Sequence, residues 1–357
     1  MLWGLSVNDV ALPEGNRVPI PEAEVLEHLR DGSDLVVSLS GGGDSAAAYL
    51  RLWESGVLES VVKGGGRVVR VFCDTGWELP ETYGYLDLLA DRFGPIDRVA
   101  LWVPGPNEAP PQGYAHLTPA WSTTKGADNG VMHADRWAYA KQIEARLGRY
   151  SPLVRLMLQW RKVPSAVRRW CTDDTKARPI VDFLSTLSNP VNAVGVRADE
   201  SVKRGRLTAA EWSDSYDAYV WRPIFGLTKA DVRQLHARHG LPPNPLYVTG
   251  AGAGRVGCAP CVFSGAADIQ WLAAHHPERL DVLADIETAL EALGSPSVQK
   301  GGESPRWFKR WVKGELASFT VAEAVRLASD DLGGDAPLLF PAERAPGCAA
   351  WGLCSTG

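Results

Sequence analysis

The segment with the clearest chemical meaning is a strand that ends in three glycines and continues as a helix. Residues 35–39 form a short apolar run typical of a buried strand, and the helical pattern 46–53 comes after the glycines. Glycine lets the backbone approach a ligand closely, and the amides at a helix N-terminus attract anions. The segment therefore predicts a phosphate or pyrophosphate site formed by Ser40, Gly41, Gly42, Gly43, Asp44 and Ser45. We expect Gly42 to need a positive φ, which a β-branched residue resists.

A second polar segment follows the next predicted strand. Residues 67–73 alternate like a strand, and Pro80 begins a helical pattern that runs to about residue 93. Strands are also predicted over 98–103 and 192–196. Alternating strands and helices predict an α/β fold with a parallel sheet, which binds its ligands at the carboxyl ends of the strands. Asp74 and Thr75 would then lie beside residues 40–45, which we call the glycine loop.

Charged residues near this edge could serve a nucleotide. Asp44 and Asp74 are suited to hold Mg²⁺ together with substrate phosphates, although Asp44 could equally cap its helix. Lys176 and Arg197 could neutralise phosphate charge, whereas Arg204 and Arg206 are better explained as solvated surface residues. We predict nucleotide contacts for Asp74, Thr75, Lys176 and Arg197, and catalytic roles for Asp44, Asp74 and Lys176.

The glycine loop is neither a Walker motif, since no lysine follows the glycines, nor a dinucleotide fingerprint, since the glycines are contiguous. It resembles the PP-loop of ATP pyrophosphatases and adenylyl-sulfate reductases. Four further segments, with the loop, resemble the phosphoadenosine phosphosulfate (PAPS) reductase family in the broad sense and occur in the family's order. They are Asp74-Thr-Gly76 with Pro80-Glu-Thr82, Arg169-Trp-Cys-Thr172 with Lys176 and Pro179, Gly195-Val-Arg197 with Glu200-Ser201, and Pro245-Leu-Tyr247 leading to Arg255-Val-Gly-Cys-Ala-Pro-Cys261.

The resemblance spans about residues 34–264 and looks closest to the PP-loop enzymes of DNA phosphorothioation. It implies a parallel sheet of the adenine nucleotide α-hydrolase type, flanked by helices and followed by a helical C-terminal part. It also implies that ATP, or PAPS, is the nucleotide. The catalytic Glu-Cys-Gly-Leu-His motif of assimilatory reductases is not found, and Gly352-Leu353-Cys354 is only a faint echo of it.

Three functions remain open. The first is an ATP pyrophosphatase that adenylates an acceptor, either a nucleic acid or a small molecule. Sulfur from a donor protein, passed through a cysteine-bound iron–sulfur cluster, then replaces the adenylate. The second is a PAPS or adenylyl-sulfate reductase. The third is a non-catalytic subunit that senses the nucleotide. Pyrophosphate release would distinguish the first from the others, and sulfite release the second.

Cysteines divide into a core residue and metal candidates. Cys73 ends an apolar strand and is predicted to pack in the core. Cys171, Cys258 and Cys261 lie in polar or glycine-rich segments, and a fourth thiolate could come from Cys348 or Cys354 in the tail. A [4Fe–4S] cluster on Cys171, Cys258, Cys261 and Cys354 is the first choice. Zinc on Cys258, Cys261, Cys348 and Cys354, or a metal-free redox pair, are the alternatives.

The whole chain sets wider limits. A formal net charge of −5 over 357 residues excludes a global basic field, so nucleic acid would need a local patch. Two segments mix arginine, lysine and tryptophan, 155–170 and 306–313, and either bind nucleic acid or cover the core with snorkelling side chains. No signal peptide and no apolar run near the roughly 20 residues of a membrane span is found, which predicts a cytoplasmic protein. The oligomeric state is not predictable.

Two units are expected along the chain. Residues 1–265 form the PP-loop domain, in which 104–134 is a loop or lid insertion. Residues 266–357 form a helical region with a cysteine-bearing tail, including helices over 267–275, 277–293, 305–316 and 321–329. Thr228 and Asp231 match a capping box that begins a helix.

Overall fold

The computed structural model describes residues 23–120, 130–247, 256–296, 299, 303–312 and 315–330. Its centre is a sheet of seven strands in the order β4-β3-β2-β1-β5-β7-β6, parallel throughout except for the antiparallel pair β6–β7. The strands are β1 Leu35–Ser38, β2 Val68–Cys73, β3 Asp97–Trp102, β4 His116–Pro119, β5 Val191–Val194, β6 Ala210–Ser213 and β7 Ala218–Trp221. The predicted α/β parallel sheet is therefore confirmed.

The strand order reverses its direction at β1, which makes β1 the topological switch point of the sheet. The chain moves from β1 through β2 and β3 to β4 on one side, then returns to place β5 on the other side of β1. Leu35 pairs with both Val68 and Val191, so β1 lies between β2 and β5. In parallel sheets, ligands commonly bind at the carboxyl ends of the strands beside such a point. The glycine loop follows β1 directly at this point.

Helices cover both faces of the sheet. They are α1 Ala23–His28, α2 Gly43–Glu54, α3 Val57–Lys63, α4 Pro80–Phe93, α5 Ala134–Leu147, α6 Pro152–Trp160, α7 Trp170–Thr172, α8 Arg178–Leu184, α9 Lys229–Arg238, α10 Ala266–His275, α11 Pro277–Ala292 and α12 Val321–Asp330. Side chains of β1 alternate between the faces, because successive residues of a strand point in opposite directions. Leu35 and Val37 pack with residues of α2, α4 and α9, whereas Val36 packs with Ile180 of α8.

A third apolar cluster lies beyond the sheet. It joins Trp77 and Leu101 near the sheet to residues of α5, α6, α10, α11 and α12. Leu283 of α11 is fully buried in it. The cluster therefore contains residues from both sides of position 265, and the predicted domain boundary there stays a prediction.

Two expectations were wrong at the level of elements. The segment 104–134 is not a loop throughout, since β4 pairs in parallel with β3 inside it; residues 121–129 lie outside the described part. Residues 305–316 do not form a helix but contribute to a hairpin of β8 Phe308–Val312 and β9 Glu315–Phe319. β8 contains two aromatic residues and a valine, which favour a strand, but the basic–aromatic spacing of the segment resembled a helix.

One helical stretch changes its pitch at a residue of interest. Between α7 and α8 the chain forms a π-helical turn over Asp173–Ala177, so that α7, the turn and α8 follow one another without a break. Such turns widen a helix and are frequent at functional sites. Lys176 lies in this turn. The predicted capping box of α9 is present, with Thr228 and Asp231 each accepting from the other's backbone amide.

Candidate active site

Hydrogen bonds of Ser45 hold the backbone of the glycine loop. The Ser45 hydroxyl accepts from the Ser40 amide at 3.1 Å and donates to the Gly42 carbonyl at 2.9 Å. Gly41 has φ +75°, a conformation that favours glycine, whereas Gly42 has φ −89°. The positive φ expected at Gly42 therefore belongs to Gly41 instead. A Cβ on Gly41 would also lie 2.8 Å from Cγ2 of Thr82.

Helix α2 begins at Gly43 with its first amides available. No side chain caps α2, and within the described residues the amides of Gly42, Asp44 and Ser45 donate to no protein acceptor. The Gly43 amide makes a long contact, 3.4 Å, with the Tyr247 hydroxyl. Amides at a helix N-terminus carry partial positive charge, so the loop is suited to an anion, and the phosphate site predicted there stays a prediction.

Asp44 is held by an arginine and does not cap its helix. The Asp44 carboxylate accepts from Arg197 Nε at 2.9 Å, and Arg197 also pairs with Asp199. Arg197 follows β5 and is 6% exposed, so the β1 and β5 loops meet at this ion pair. Arg197 therefore lies beside the loop and shares its charge with two carboxylates, while its contact with a nucleotide stays a prediction.

Asp74 lies at the end of β2, buried among hydroxyl groups. Its carboxylate accepts from Tyr83 Oη at 2.7 Å, from Tyr114 Oη at 3.1 Å and from the Gly76 amide at 2.8 Å. Burial, and then the charge of Glu78, raise the pKa of Asp74 despite these hydrogen bonds. The site thus contains a carboxyl group that takes up a proton more readily than an exposed aspartate does.

Glu78 is a buried site residue that the sequence reasoning missed. Its carboxylate oxygens each lie 2.8 Å from Thr75 Oγ1, and Oε1 lies 3.9 Å from Lys176 Nζ. The segment of Glu78 also forms a backbone bridge with Cys258. Thr75, Lys176 and Cys258 are therefore brought together around the Glu78 carboxylate. In the sequence, the only signal for this residue was its position in the Trp-Glu-Leu-Pro segment before α4.

The thiol of Cys258 lies inside this cluster. Its Sγ is 3.6 Å from Glu78 Oε1 and 3.7 Å from Thr75 Oγ1. Burial raises the pKa of Cys258; the nearby Lys176 opposes this shift, and Glu78 adds to it. Cys73 is buried as predicted, and burial likewise raises its pKa well above the usual value. Both thiols are thus disfavoured as thiolates.

Side chains from α9 and the segment after it hold the loop from outside. Asn244 Nδ2 donates to the Gly41 carbonyl at 3.0 Å, and His236 Nε2 lies 2.8 Å from the Gly43 carbonyl. On the opposite side Gly195 packs so closely that a Cβ there would lie 2.5 Å from atoms of the Asp44–Ser45 peptide. Neither Asn244 nor His236 was recognised from the sequence, because they follow β7, far from the loop in the chain.

Comparison with known proteins identifies the family. The model of the phosphoadenosine phosphosulfate reductase domain matches residues 34–263, which is more than half of the chain. An uncharacterised 37.8 kDa protein of Escherichia phage 186 is 31% identical over 269 residues, covering 72% of this chain and 75% of the phage protein. This chain belongs to the PAPS reductase domain family.

Solved structures similar to this family member match at low identity. A PAPS reductase from Candida auris in a phosphate complex is 14% identical, with a TM-score of 0.34, over 70% of this chain and 97% of that one. An FMN adenylyltransferase from Candida glabrata is 11% identical, with a TM-score of 0.35, over 71% of this chain and 66% of that one. A glutamine-dependent NAD(+) synthetase from Cytophaga hutchinsonii is 16% identical, with a TM-score of 0.27, over 85% of this chain and 54% of that one.

The predicted metal centres find no support in the described residues of this PAPS-reductase-family protein. No group of three or more His, Cys, Asp or Glu side chains in that part of the chain is arranged to hold a metal ion. Among the described residues, Cys171, Cys258 and Cys261 form no disulfide bond, and Cys348, Cys354 and Arg255 lie outside the described part. Asp44 is paired with Arg197, and Asp74 accepts from two hydroxyl groups and one amide, so the Mg²⁺ site predicted on these carboxylates has no support either. The cluster stays a prediction.

Several residues of the two basic segments have structural roles. Arg155 donates to Glu108 and Glu144, Arg161 to the carbonyls of Leu293 and Gly294, and Arg306 to Glu287 and Glu291. These contacts fit the interpretation that the segments cover the core. A nucleic-acid partner stays a prediction. Among the described residues, no helix is both long and apolar enough to cross a bilayer.

A cavity of about 410 Å³ lies beside the insertion. Trp102, Glu108, Lys141, Tyr150 and Arg155 are among its lining residues, and none of the lining residues belongs to the glycine loop. The cavity touches the Asp74 cluster only indirectly, since the Tyr150 ring packs edge-on against Tyr114. The phosphate site predicted at the loop is therefore separate from this cavity.

Proposed function

We propose that this protein is an adenylating enzyme of the PAPS reductase family, which binds ATP at the glycine loop and cleaves it between the α- and β-phosphates. The observation that carries the proposal is the set of available amides at Gly42, Asp44 and Ser45, at the switch point of a parallel sheet. Coupled to this activity, a sulfur donor protein would supply sulfur to the adenylated acceptor, either a nucleic acid or a small molecule.

The reaction divides into two displacements. The loop amides bind the phosphates, while Arg197 and Lys176 provide positive charge at the edges of the site. An oxygen nucleophile of the acceptor attacks the α-phosphorus, the bond to the β-phosphate oxygen breaks, and pyrophosphate leaves with that electron pair. A sulfide-level sulfur from the donor then replaces the adenylate at the acceptor, and AMP leaves. No step needs a metal centre on the cysteines.

A reductase is favoured less by the chemistry of two described thiols, Cys73 and Cys258. Attack on the sulfur of PAPS requires a thiolate, and burial raises the pKa of both Cys73 and Cys258. Adenylation needs no thiolate, only a phosphate site and an acceptor oxygen. The cluster on Cys171, Cys258, Cys261 and Cys354 would be detected directly as iron and sulfide in protein purified without oxygen.

The test compares nucleotides and an Asp44 variant. With ATP and Mg²⁺ but no acceptor, water takes the place of the acceptor oxygen at the α-phosphorus, and we expect AMP and pyrophosphate to be released. Asp44→Asn should lose this activity while it still folds, because the variant alters the charge that positions Arg197. Asp87→Asn is the matched control, since Asp87 also lies near an arginine, Arg98, but is exposed on α4. Sulfite release from PAPS with a reductant would favour the reductase. ATP binding without turnover would favour the nucleotide-sensing subunit.

A further inference from the structure

Asn244 is fully buried behind the loop and has a fixed orientation. Its side chain is 0% exposed; Oδ1 accepts from the Leu246 amide at 3.0 Å and Nδ2 donates to the Gly41 carbonyl at 3.0 Å. Because one end of the amide group is an acceptor and the other a donor, the Leu246 contact determines which atom faces Gly41. The donor of Asn244 is therefore directed at the loop.

The bond to Gly41 also sets the direction of the next amide. A trans peptide is planar, so its carbonyl and its N–H point in opposite directions. With the Gly41 carbonyl held by Asn244, the Gly42 N–H of the same peptide must point away from Asn244. This is one of the amides that donate to no acceptor within the described residues.

The other supports of the loop leave this peptide to Asn244. Ser45 fixes the Ser40 amide before it and the Gly42 carbonyl after it. The carbonyl of Gly41 lies outside α2, and Gly41 itself has φ +75°, where glycine has wide conformational freedom. Without a partner for its carbonyl, the Gly41–Gly42 peptide could rotate and turn its oxygen towards the anion, which would repel it.

We propose that Asn244 is a positioning residue for the phosphate site: by holding the Gly41 carbonyl it keeps the Gly42 N–H directed at the bound phosphate. The proposal rests on the proposed function only in identifying the anion as a nucleotide phosphate. Asn244 acts through the backbone and does not itself touch the ligand. His236 and Tyr247, which contact Gly43, come from the same part of the chain and extend the same support.

The experiment measures the dissociation constants of inorganic pyrophosphate and of ATP by calorimetry for the wild type and Asn244→Ala. Asn192→Ala is the matched control, since Asn192 is equally buried and accepts from Ser38 on β1, but does not contact the loop. We expect Asn244→Ala to raise both dissociation constants about tenfold. Asn192→Ala should change neither constant by more than about twofold, even if it loses a similar amount of thermal stability.

A second variant covers a failure to fold. Asn244→Ser disturbs the packing less than Asn244→Ala, but the serine side chain cannot reach both the Gly41 carbonyl and the Leu246 amide. We therefore expect Asn244→Ser to weaken pyrophosphate binding as well. Wild-type affinity in a folded Asn244→Ala or Asn244→Ser protein would overturn the proposal, as would equal weakening by Asn192→Ala. If the wild type binds pyrophosphate but not ATP, the proposed function fails while the role of Asn244 is still measured with pyrophosphate. If the wild type binds neither, both are wrong.

Discussion

Individual glycines of the site serve different physical purposes. Gly41 adopts a positive φ. Gly42 has an extended backbone, and its amide is available to a ligand. Gly195 allows the loop after β5 to pack on the backbone of α2. For Gly195 the reason is space and not φ, because a Cβ would lie 2.5 Å from the carbonyl carbon and oxygen of Asp44 and the amide nitrogen of Ser45. No real Cβ tolerates such a distance to backbone.

Gly195→Ala should displace the first turn of α2 and weaken ATP binding at least tenfold, with a stability loss of about 1–3 kcal/mol. Calorimetry and urea unfolding measure the two effects. Gly226→Ala is the matched control, since nothing lies within 4 Å of a Cβ there. If Gly195→Ala bound ATP as tightly as the wild type, the close packing of β5 on the loop would not matter for the site.

At the scale of elements, the insertion after β3 is tied to α5 and α6 by one buried arginine. Arg155 of α6 is 1% exposed and donates to Glu144 at 2.7 Å, to the Val103 carbonyl at 2.8 Å and to Glu108 of the insertion. Burial alone would raise the pKa of Glu108, but hydrogen bonds from Arg155 and from the Gly105 amide lower it to about 2. The insertion is therefore anchored by charge.

Glu108→Gln should destabilise the protein at neutral pH by about 2 kcal/mol, after allowance for solvent screening. A carboxyl group with a lowered pKa stabilises the fold above its ordinary value of 4.5, and this contribution is lost as the pH falls towards about 2. Unfolding of both proteins in urea should thus differ most above pH 4.5 and converge at lower pH. A difference that did not depend on pH would contradict this assignment.

At the scale of the whole molecule, the C-terminal helices share a core with the sheet. Leu283 of α11 lies in the same apolar cluster as Trp77, whose indole nitrogen donates to the Pro260 carbonyl at 3.1 Å. Trp77 belongs to the segment between Asp74 and α4, so the C-terminal part packs directly against the turn that carries site residues. Arg279 of α11 also donates to the Glu78 carbonyl.

Leu283→Ala should therefore weaken the entire fold in one step, by about 2–5 kcal/mol, since it opens a cavity in this cluster. Urea unfolding followed by tryptophan fluorescence and by far-UV circular dichroism should give coincident transitions that shift together. Two separate transitions, of which only one moves in Leu283→Ala, would show instead that residues beyond 265 fold as an independent unit.

The sequence by itself determined the parallel sheet, the position of the glycine loop and the family, because strand–glycine–helix patterns and motif order are local properties of the chain. It also located Asp44, Asp74, Thr75 and Arg197 at the carboxyl edge of the sheet. It did not reveal β4 within the insertion or the β8–β9 hairpin, since short strands with aromatic and basic residues have no periodicity that separates them from loops or helices. Only the tertiary structure decided the partners: Asn244 on Gly41, Arg197 on Asp44, and Glu78 between Thr75 and Cys258. These contacts join residues up to about 200 positions apart, where spacing along the chain carries no information.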